Sequence, residues 1–388
     1  MYNRIEYADK AVIHISQFYM KNILRFFLLI AVTIGCHDER GVDNAVLLKN
    51  LDFSTAGYKD LETLGNVEIL PVFSDTNVFV DQIRYGQVSK EHYIFITAQY
   101  KIHVFDPEFQ FERSIFSFGK GPGETIMPIG LSKSESDSEF YIVDPGNRKI
   151  LRLDVSGNVI EEMITDHWIK NANKFSNEEN LFIGNVNGSK SPALGKSYDL
   201  LLLDEEGEIV RGYFEFEEDG TFGIGNGRNL HRISADYFGY YRMYDDKIYH
   251  VYADGPLEAY AFSLEMPLLP RNLVIDHALG KIGLDEFVYF LSYFEDESQL
   301  LLTYELDRKK YWSVYDKIDD HIYNYKFSYA KDCGNCNNIN TIALTEEGAI
   351  AVVSGETLLR MMDGNKIGRS LPAGTDIESE YYLVKLGF

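Results

Sequence analysis

The chain has 388 residues, of which 45% are hydrophobic and 14% aromatic, enough for two ordinary domains or one large closed β architecture. That much apolar and ring surface excludes a disordered chain, and the 31 glycines follow no collagen period. Sixty acidic against 37 basic residues leave a formal net charge of −23, which repels phosphate backbones and argues against nucleic acid as a partner.

Residues 1–19, MYNRIEYADKAVIHISQFY, fit no export pattern and read as a non-native extension ahead of a true start at Met20. From Met20 the order is basic, apolar, small. Lys21 and Arg25 come first, then an uncharged run from Phe26 to Ile34, then Gly35 and Cys36. Such a run covers about 14 Å as a helix, against the roughly 30 Å of a bilayer's hydrocarbon core, so it is a signal peptide's apolar segment rather than a span. Residues 20–35 resemble a bacterial lipoprotein signal, in which a small residue precedes the cysteine that becomes the acylated first residue. The resemblance implies Cys36 as the lipid attachment site. Asp38–Glu39 resembles the export tag of Bacteroidetes surface lipoproteins, implying an outer-membrane lipoprotein at the cell surface, or alternatively one facing the periplasm. Removing residues 1–35 takes away four basic and two acidic side chains, so −23 becomes −25 in the mature chain. Residues 36–63 read as a leader or tether, and residues 64–388 as the folded body.

In that body a strand alternates, meets an aspartate, turns and starts again. The runs KIHVFD, KILRLD, YDLLLLD, KIYHVYAD, QLLLTYELD and TLLRMMD end at Asp106, Asp154, Asp204, Asp254, Asp307 and Asp363. Intervals of 48, 50, 50, 53 and 56 residues mark a repeat architecture. A second strand precedes each run, from EHYIFITA before the first to GAIAVVS before the last. Period-two runs of Val, Ile, Tyr and Phe between Asp, Gly and Asn are strand–turn–strand signals, and no helical spacing interrupts them. Such a meander has two half-apolar faces and is not stable alone. Six stacked radially bury both faces of every sheet, which makes an all-β fold: a six-bladed β-propeller of antiparallel three- to four-stranded blades. Two stacked sandwiches are the alternative, but they give no reason for a regular aspartate phase. Closure would join the segment Val67–Phe73 to the terminal Tyr381–Leu386, with Pro71 confining the former to an outer edge.

KIHVFDPEFQFERSIFSFGKGPGE, followed by FYIVDPGNRKILRLDVSGNVI, resembles the signature of the Bacteroidetes six-bladed β-propeller lipoproteins, relatives of the NHL-repeat propellers. The resemblance spans roughly Leu64–Leu386 and implies fold and envelope address rather than a particular activity. Its distinctive loop holds Lys120, Gly121, Pro122, Gly123 and Glu124, which either link two blades or form a ligand-contacting lip. Pro145–Arg148 is likewise a turn, with Arg148 as a candidate ligand contact. The acidic, aromatic-bearing insertion Glu215–Asn229, with Arg228 inside it, is a surface loop or a cover for one channel mouth, able to bind a ligand or cation. Tyr237, Phe238, Tyr240 and Tyr241 are blade core or, if exposed, a platform for a sugar or a protein.

No HExxH, GxSxG, phosphate-loop or EF-hand pattern occurs, so no catalytic, cofactor-binding or metal residue is nominated. The histidines are scattered, at His103, His231, His250, His277 and His321 among others. One or two facing the channel beside an Asp would hold Zn²⁺ or Ca²⁺, although a strand histidine in an aromatic sheet is more often packed. Cys333 and Cys336 lie in DCGNCN. In an oxidising envelope they are expected to pair as a disulfide, with free thiols or a redox or metal site as alternatives. The leading expectation is an envelope lipoprotein whose propeller face binds a protein or glycan ligand. A propeller-scaffold hydrolase or lyase, metal-dependent or not, and a purely structural scaffold are the alternatives.

Replacing Cys36 with Ala is expected to move the protein from the membrane to the soluble envelope fraction without changing its thermal unfolding. Fatty-acid labelling that persists in the C36A protein would contradict the anchor.

Overall fold

A computed structural model of the protein describes residues 48–60, 66–70, 83–115, 118–175, 181–185, 195–216, 229–270, 273, 287–288, 291–306, 309–328, 339–355, 357–359 and 381–388. The signal segment with Cys36, the Cys333–Cys336 loop, Arg228 and His277 lie outside these residues. Three short strands come first, β1 (Lys49–Asp52), β2 (Tyr58–Asp60) and β3 (Asn66–Leu70). Blade 1 holds β4 (Ile83–Val88), β5 (Tyr93–Thr97), β6 (Ile102–Phe105) and β7 (Phe111–Ile115). Blade 2 holds β8 (Gly130–Lys133), β9 (Glu139–Asp144), β10 (Lys149–Asp154) and β11 (Val159–Ile164). Blade 3 holds β12 (Asn171–Lys174), β13 (Phe182–Asn185), β14 (Ser197–Leu203) and β15 (Ile209–Phe216). Blade 4 holds β16 (Leu230–Arg232), β17 (Phe238–Tyr241), β18 (Lys247–Tyr252) and β19 (Gly255–Ser263). Blade 5 holds β20 (Leu291–Glu295), β21 (Gln299–Leu306), β22 (Lys309–Asp316) and β23 (His321–Ser328). Blade 6 holds β24 (Ile339–Thr345), β25 (Gly348–Ser354) and β26 (Tyr381–Gly387), completed by β3.

The protein is thus a six-bladed β-propeller. The first strands β4, β8, β12, β16, β20 and β24 form a ring around the axis, each beside the next. The core is not one ball but six seams. Ile94 and Ile142 meet between blades 1 and 2, and Leu201 joins Val143 between blades 2 and 3. Tyr241 and Leu302 do the same between blades 4 and 5. Each sheet therefore hides both faces, as the alternating sequence demands.

The recurrent aspartate has a mechanical reason. In blades 1 to 3 it caps the turn between the third and fourth strands. Asp106, Asp154 and Asp204 accept the backbone N–H of Gln110, Asn158 and Glu208 at 2.6, 2.8 and 2.9 Å. The residue three positions after each aspartate turns left-handed, at Phe109 (φ 62°), Gly157 (φ 91°) and Gly207 (φ 81°). The register slips in each hairpin, at Val104/Phe105, Arg152/Leu153 and Leu202/Leu203. This is a type I turn closed by a bulge, with the aspartate as its side-chain cap.

Two of the six expected phases fall elsewhere. Asp307 follows β21, the second strand of blade 5, and the capping role there passes to Asp316, whose Oδ1 accepts Ile318 N and Asp319 N at 2.9 and 3.0 Å. The eight-residue strands of this blade push the turn away from the regular interval. In blade 6 the run TLLRMMD is not the third strand. Its described residues Thr357, Leu358 and Leu359 are helical, and leucine is a good helix former without β-branching, while residues 360–363, with Asp363, lie outside the described residues. The third strand is β26 instead. No aspartate turn is needed after it, because its neighbour arrives from the other end of the chain.

That neighbour is β3. It pairs antiparallel with β26, Val384 opposite Ile69 and Leu386 opposite Val67, and forms the outer edge of the sheet. It ends at Leu70, immediately before Pro71, which has no N–H for a ladder. The part of the leader from Leu48 onward also joins the fold. β1 lies parallel on β19 and β2 parallel on β23, while Leu51 and Phe53 are buried against Tyr304 and Tyr311. These strands are too short for their alternation to be visible in sequence.

A chain stopped after Gly374 loses β26 from the middle of its sheet, along with the buried Leu383, Val384 and Leu386. At about 1.5–3 kcal/mol for each such side chain, the loss approaches the roughly 5–15 kcal/mol that holds a typical domain folded. Cooperative thermal unfolding is expected to vanish. A midpoint within about 2 °C of the parent would show that the strand closes nothing.

Candidate functional site

In blades 1, 2, 4, 5 and 6 the first strand runs toward one end of the axis and turns there into the second strand, so these turns gather around a single mouth. A cavity of about 1220 Å³ opens at that end. Its wall takes Tyr85 to Lys90 from blade 1, Leu131 to Glu135 from blade 2 and Asn171 from blade 3. Blades 4, 5 and 6 add Leu230 to Ala235, Phe294 to Ser298 and Ile342 to Glu347. Charge of both signs meets there, and part of it is paired. Lys385 pairs with Glu347 at 2.5 Å and Lys133 with Asp137 at 3.4 Å. Arg232 lies over the Phe238 ring, and its Nη2 donates to Lys174 O.

One acid in the wall is wholly buried. Glu295 ends β20, and its Oε1 lies 3.1 Å from His250 Nε2 on β18 and 2.7 Å from Lys317 Nζ. Its Oε2 accepts the Tyr293 hydroxyl. Only glycine fits at position 239 above this group, since a Cβ there would collide with the Tyr293 hydroxyl and the Glu295 carboxylate. Burial pushes the Glu295 carboxyl upward, but the His250 hydrogen bond and the Lys317 charge outweigh it and hold the group below the usual carboxylate range. Tyr237, whose ring lies tilted 4.7 Å from the His250 ring, is pushed up to about 12 by burial and by the Glu295 charge. The cluster ties blade 4 to blade 5. Its carboxylate is fully occupied, which suits holding blades together rather than moving protons.

The loops singled out by sequence sit elsewhere. GKGPGE precedes β8 and Pro145–Arg148 joins β9 to β10, so both lie at the opposite end of the blades from the cavity mouth. They are wired to each other. Asn147 Nδ2 donates to Gly119 O at 2.7 Å, and Lys149 Nζ to Gly121 O at 2.7 Å. Glu124 Oε2 accepts Gly121 N at 2.7 Å, and Gly123 N donates to Glu162 at 2.6 Å. Gly123 is left-handed, with φ at 71°, a conformation that favours glycine. Gly121, Gly123 and Glu124 thus brace the blade, while Lys120 and Pro122 stay exposed. Arg148, also left-handed at φ 55°, points outward toward Asp166.

The aromatic run resolves into core, with Phe238, Tyr240 and Tyr241 buried. His103 is packed in blade 1 against Ser114 at 2.8 Å, its pKa lowered to about 4 by burial and then by Lys101. His231 reaches Tyr293 O at 2.7 Å, and the His321 ring meets Tyr323. Among the described residues no group of three His, Cys, Asp or Glu side chains is placed to hold a metal ion. Sequence reasoning missed Asn171, Asn173 and Glu295. A hint was available in Asn-Ala-Asn-Lys, two asparagines standing in a strand position where they are disfavoured.

The fold is shared. The chain belongs to the family described as "Domain of unknown function (DUF4934)", matched over residues 62–379. A Bacteroides fragilis protein assigned to export has a similar crystal structure, at 16% identity and a TM-score of 0.66, over 87% of this chain and 98% of its own. A Bacteroides vulgatus protein of the duf4221 family follows at 11% identity and a TM-score of 0.48, over 83% of this chain and 96% of its own. Comparison with curated proteins returns no match.

Glu295→Gln is expected to cost about 3–5 kcal/mol at neutral pH, the usual penalty for breaking a buried ionic group. Because the folded carboxyl titrates below its unfolded value, its contribution is present above about pH 4.3 and fades as pH falls through the folded pKa. Denaturant unfolding of both proteins should therefore converge in acid. A difference that stays constant down to pH 3 would contradict the ionised assignment.

Proposed function

We propose that the protein is an exported envelope lipoprotein, similar to the NHL-type propellers, whose axial cavity binds a ligand. The observation that carries the reading is the cavity itself. About 1220 Å³ is walled by all six blades, a concave space somewhat larger than the roughly 300–1,000 Å³ of most small-molecule sites and so able to enclose one. Its wall mixes rings, amides, hydroxyls and charges, a lining that suits recognition of a polar ligand. The address rests on the order from Lys21 to Cys36 and is supported by the likeness to a protein assigned to export. Anchoring would come through acyl chains on Cys36, and display at the cell surface through Asp38–Glu39.

Ala235 lines the cavity and is exposed, so Ala235→Trp should obstruct the mouth without disturbing the core. Native mass spectrometry of protein isolated from its own envelope should find a small non-covalent species, released by the A235W change. A species retained equally by both proteins, or none at all, would count against the cavity as the binding site.

A further inference from the structure

The two ends of the blades differ in charge. At the cavity mouth the turns from first to second strand of blades 1, 2, 4, 5 and 6 read SKEH, SESDS, ISADY, DES and EE, eight acids against Lys90 alone. At the opposite end lie the second turns of these blades and the connections from one blade to the next. Their described residues hold as many bases as acids, five of each, with Lys101, Lys120 and Arg148 among the bases. In these turns the acidity of the chain is gathered at the mouth, and the far end is neutral.

Exposed apolar side chains meet at that far end. Phe118 is 64% exposed, Ile164 63%, Trp168 45% and Tyr100 38%. The first three share one surface on blade 2. Asn147 holds the carbonyl of Gly119, next to Phe118, and Arg148 O accepts Thr165 N at 2.9 Å, next to Ile164. Arg148 Nη1 lies 4.0 Å from Asp166, two residues before Trp168. Lys120 stands exposed on the same loop as Phe118. Lys149 and Glu162 brace that loop, so its side chains are held outward by a fixed backbone.

Rings and aliphatic side chains interleaved with Lys and Arg suit a membrane interface, where rings sit at headgroup level and cations reach the phosphates. An anionic lipid surface repels the acidic mouth and leaves the far end free to approach. An anchor at Cys36 would keep the body beside the bilayer, so that even a weak contact is populated.

We propose that the blade 2 sector of the far end rests on the lipid surface through Phe118, Ile164 and Trp168, with Lys120 and Arg148 on the headgroup phosphates. The cavity mouth is then turned away from the bilayer, open to its ligand. The setting rests on the envelope-lipoprotein reading given above.

The test uses the mature chain, residues 36–388 with Cys36→Ala, so that neither an acyl chain nor the signal segment binds lipid. It is mixed with vesicles of phosphatidylethanolamine and phosphatidylglycerol, and separately with vesicles of phosphatidylcholine. Trp168 supplies the signal, because the other tryptophan, Trp312, is buried. Binding to the anionic vesicles should shift its emission to the blue and carry the protein upward in flotation. Phe118→Ser with Ile164→Ser, and separately Lys120→Glu with Arg148→Glu, should each weaken that binding at least about tenfold. Ile318→Ser, at the mouth, should leave it unchanged. All five side chains are exposed, so thermal midpoints should match the parent, and if the apolar pair lowers the midpoint the charge pair decides alone. A parent that neither shifts nor floats would overturn the proposal, as would binding that survives both pairs or falls equally with Ile318→Ser. A dimer in solution that these pairs dissolve, without vesicle binding, would make this face a contact between copies and overturn the lipid. Fatty-acid labelling at Cys36 decides the anchor separately, so failure here leaves that reading standing.

Discussion

The constraint on which this molecule depends is that a sheet edge must be paired. A meander of three strands ends in a row of backbone donors and acceptors, and a ring of meanders must also meet itself. Both demands fall on blade 6, where β26 from the C-terminus lies between β25 and β3 from the N-terminal side. Val384 opposite Ile69 and Leu386 opposite Val67 make the two ends of the chain one sheet. Every seam gains from that pairing, because each blade is held in place by two neighbours and the ring has no free end. The leader extends the same logic outward, covering the outer edges of blades 4 and 5 with parallel strands.

Blades 4 and 5 are consequently fastened twice. At the rim, Lys49 from β1 on blade 4 reaches Tyr315 and Asp320 on blade 5, both at 2.5 Å. Asn324 holds the carbonyls of Phe53 and Ala56 at 2.6 and 2.9 Å. Near the axis, Glu295 gathers His250, Lys317 and Tyr293. The inner fastening is buried and ionic, so it tolerates little movement. The seam between blades 3 and 4 differs: Phe175 meets Phe238 at 4.8 Å, and the buried Asn171 crosses it to the Leu230 carbonyl at 3.0 Å.

The GKGPGE loop shows how a distinctive sequence can serve structure. Its glycines let the backbone pass under Glu124 and turn left-handed at Gly123, while Asn147 and Lys149 satisfy its carbonyls. A loop this tightly satisfied leaves mainly Lys120 and Pro122 to meet other molecules. The recurrent Asp-x-x-Gly turns belong to the same category. Gly157 abuts Ile115 of the preceding blade and Gly207 abuts the Ile164 carbonyl, so the residue that closes each hairpin also sets the spacing between blades.

Local physics in the sequence determined much of this protein. Alternation set the strands, the aspartate caps set most of the third turns, and together they determined six blades and the joining of Val67 to Leu386. These signals are legible because each acts between residues a few positions apart, or repeats often enough to survive an exception such as Asp307. Tertiary structure alone decided the rest. β1 and β2 exist only because blades 4 and 5 offer edges, and Thr357–Leu359 turn helical while a more distant segment takes the strand position. The cavity wall is the clearest case. His250 and Glu295 are 45 residues apart and Asn171 and Leu230 are 59 apart. Side chains on a first strand face alternate seams, so a shift of one residue would exchange the asparagines for Ala172. Register around a closed ring is set by six seams packing at once, and no single stretch of sequence contains it.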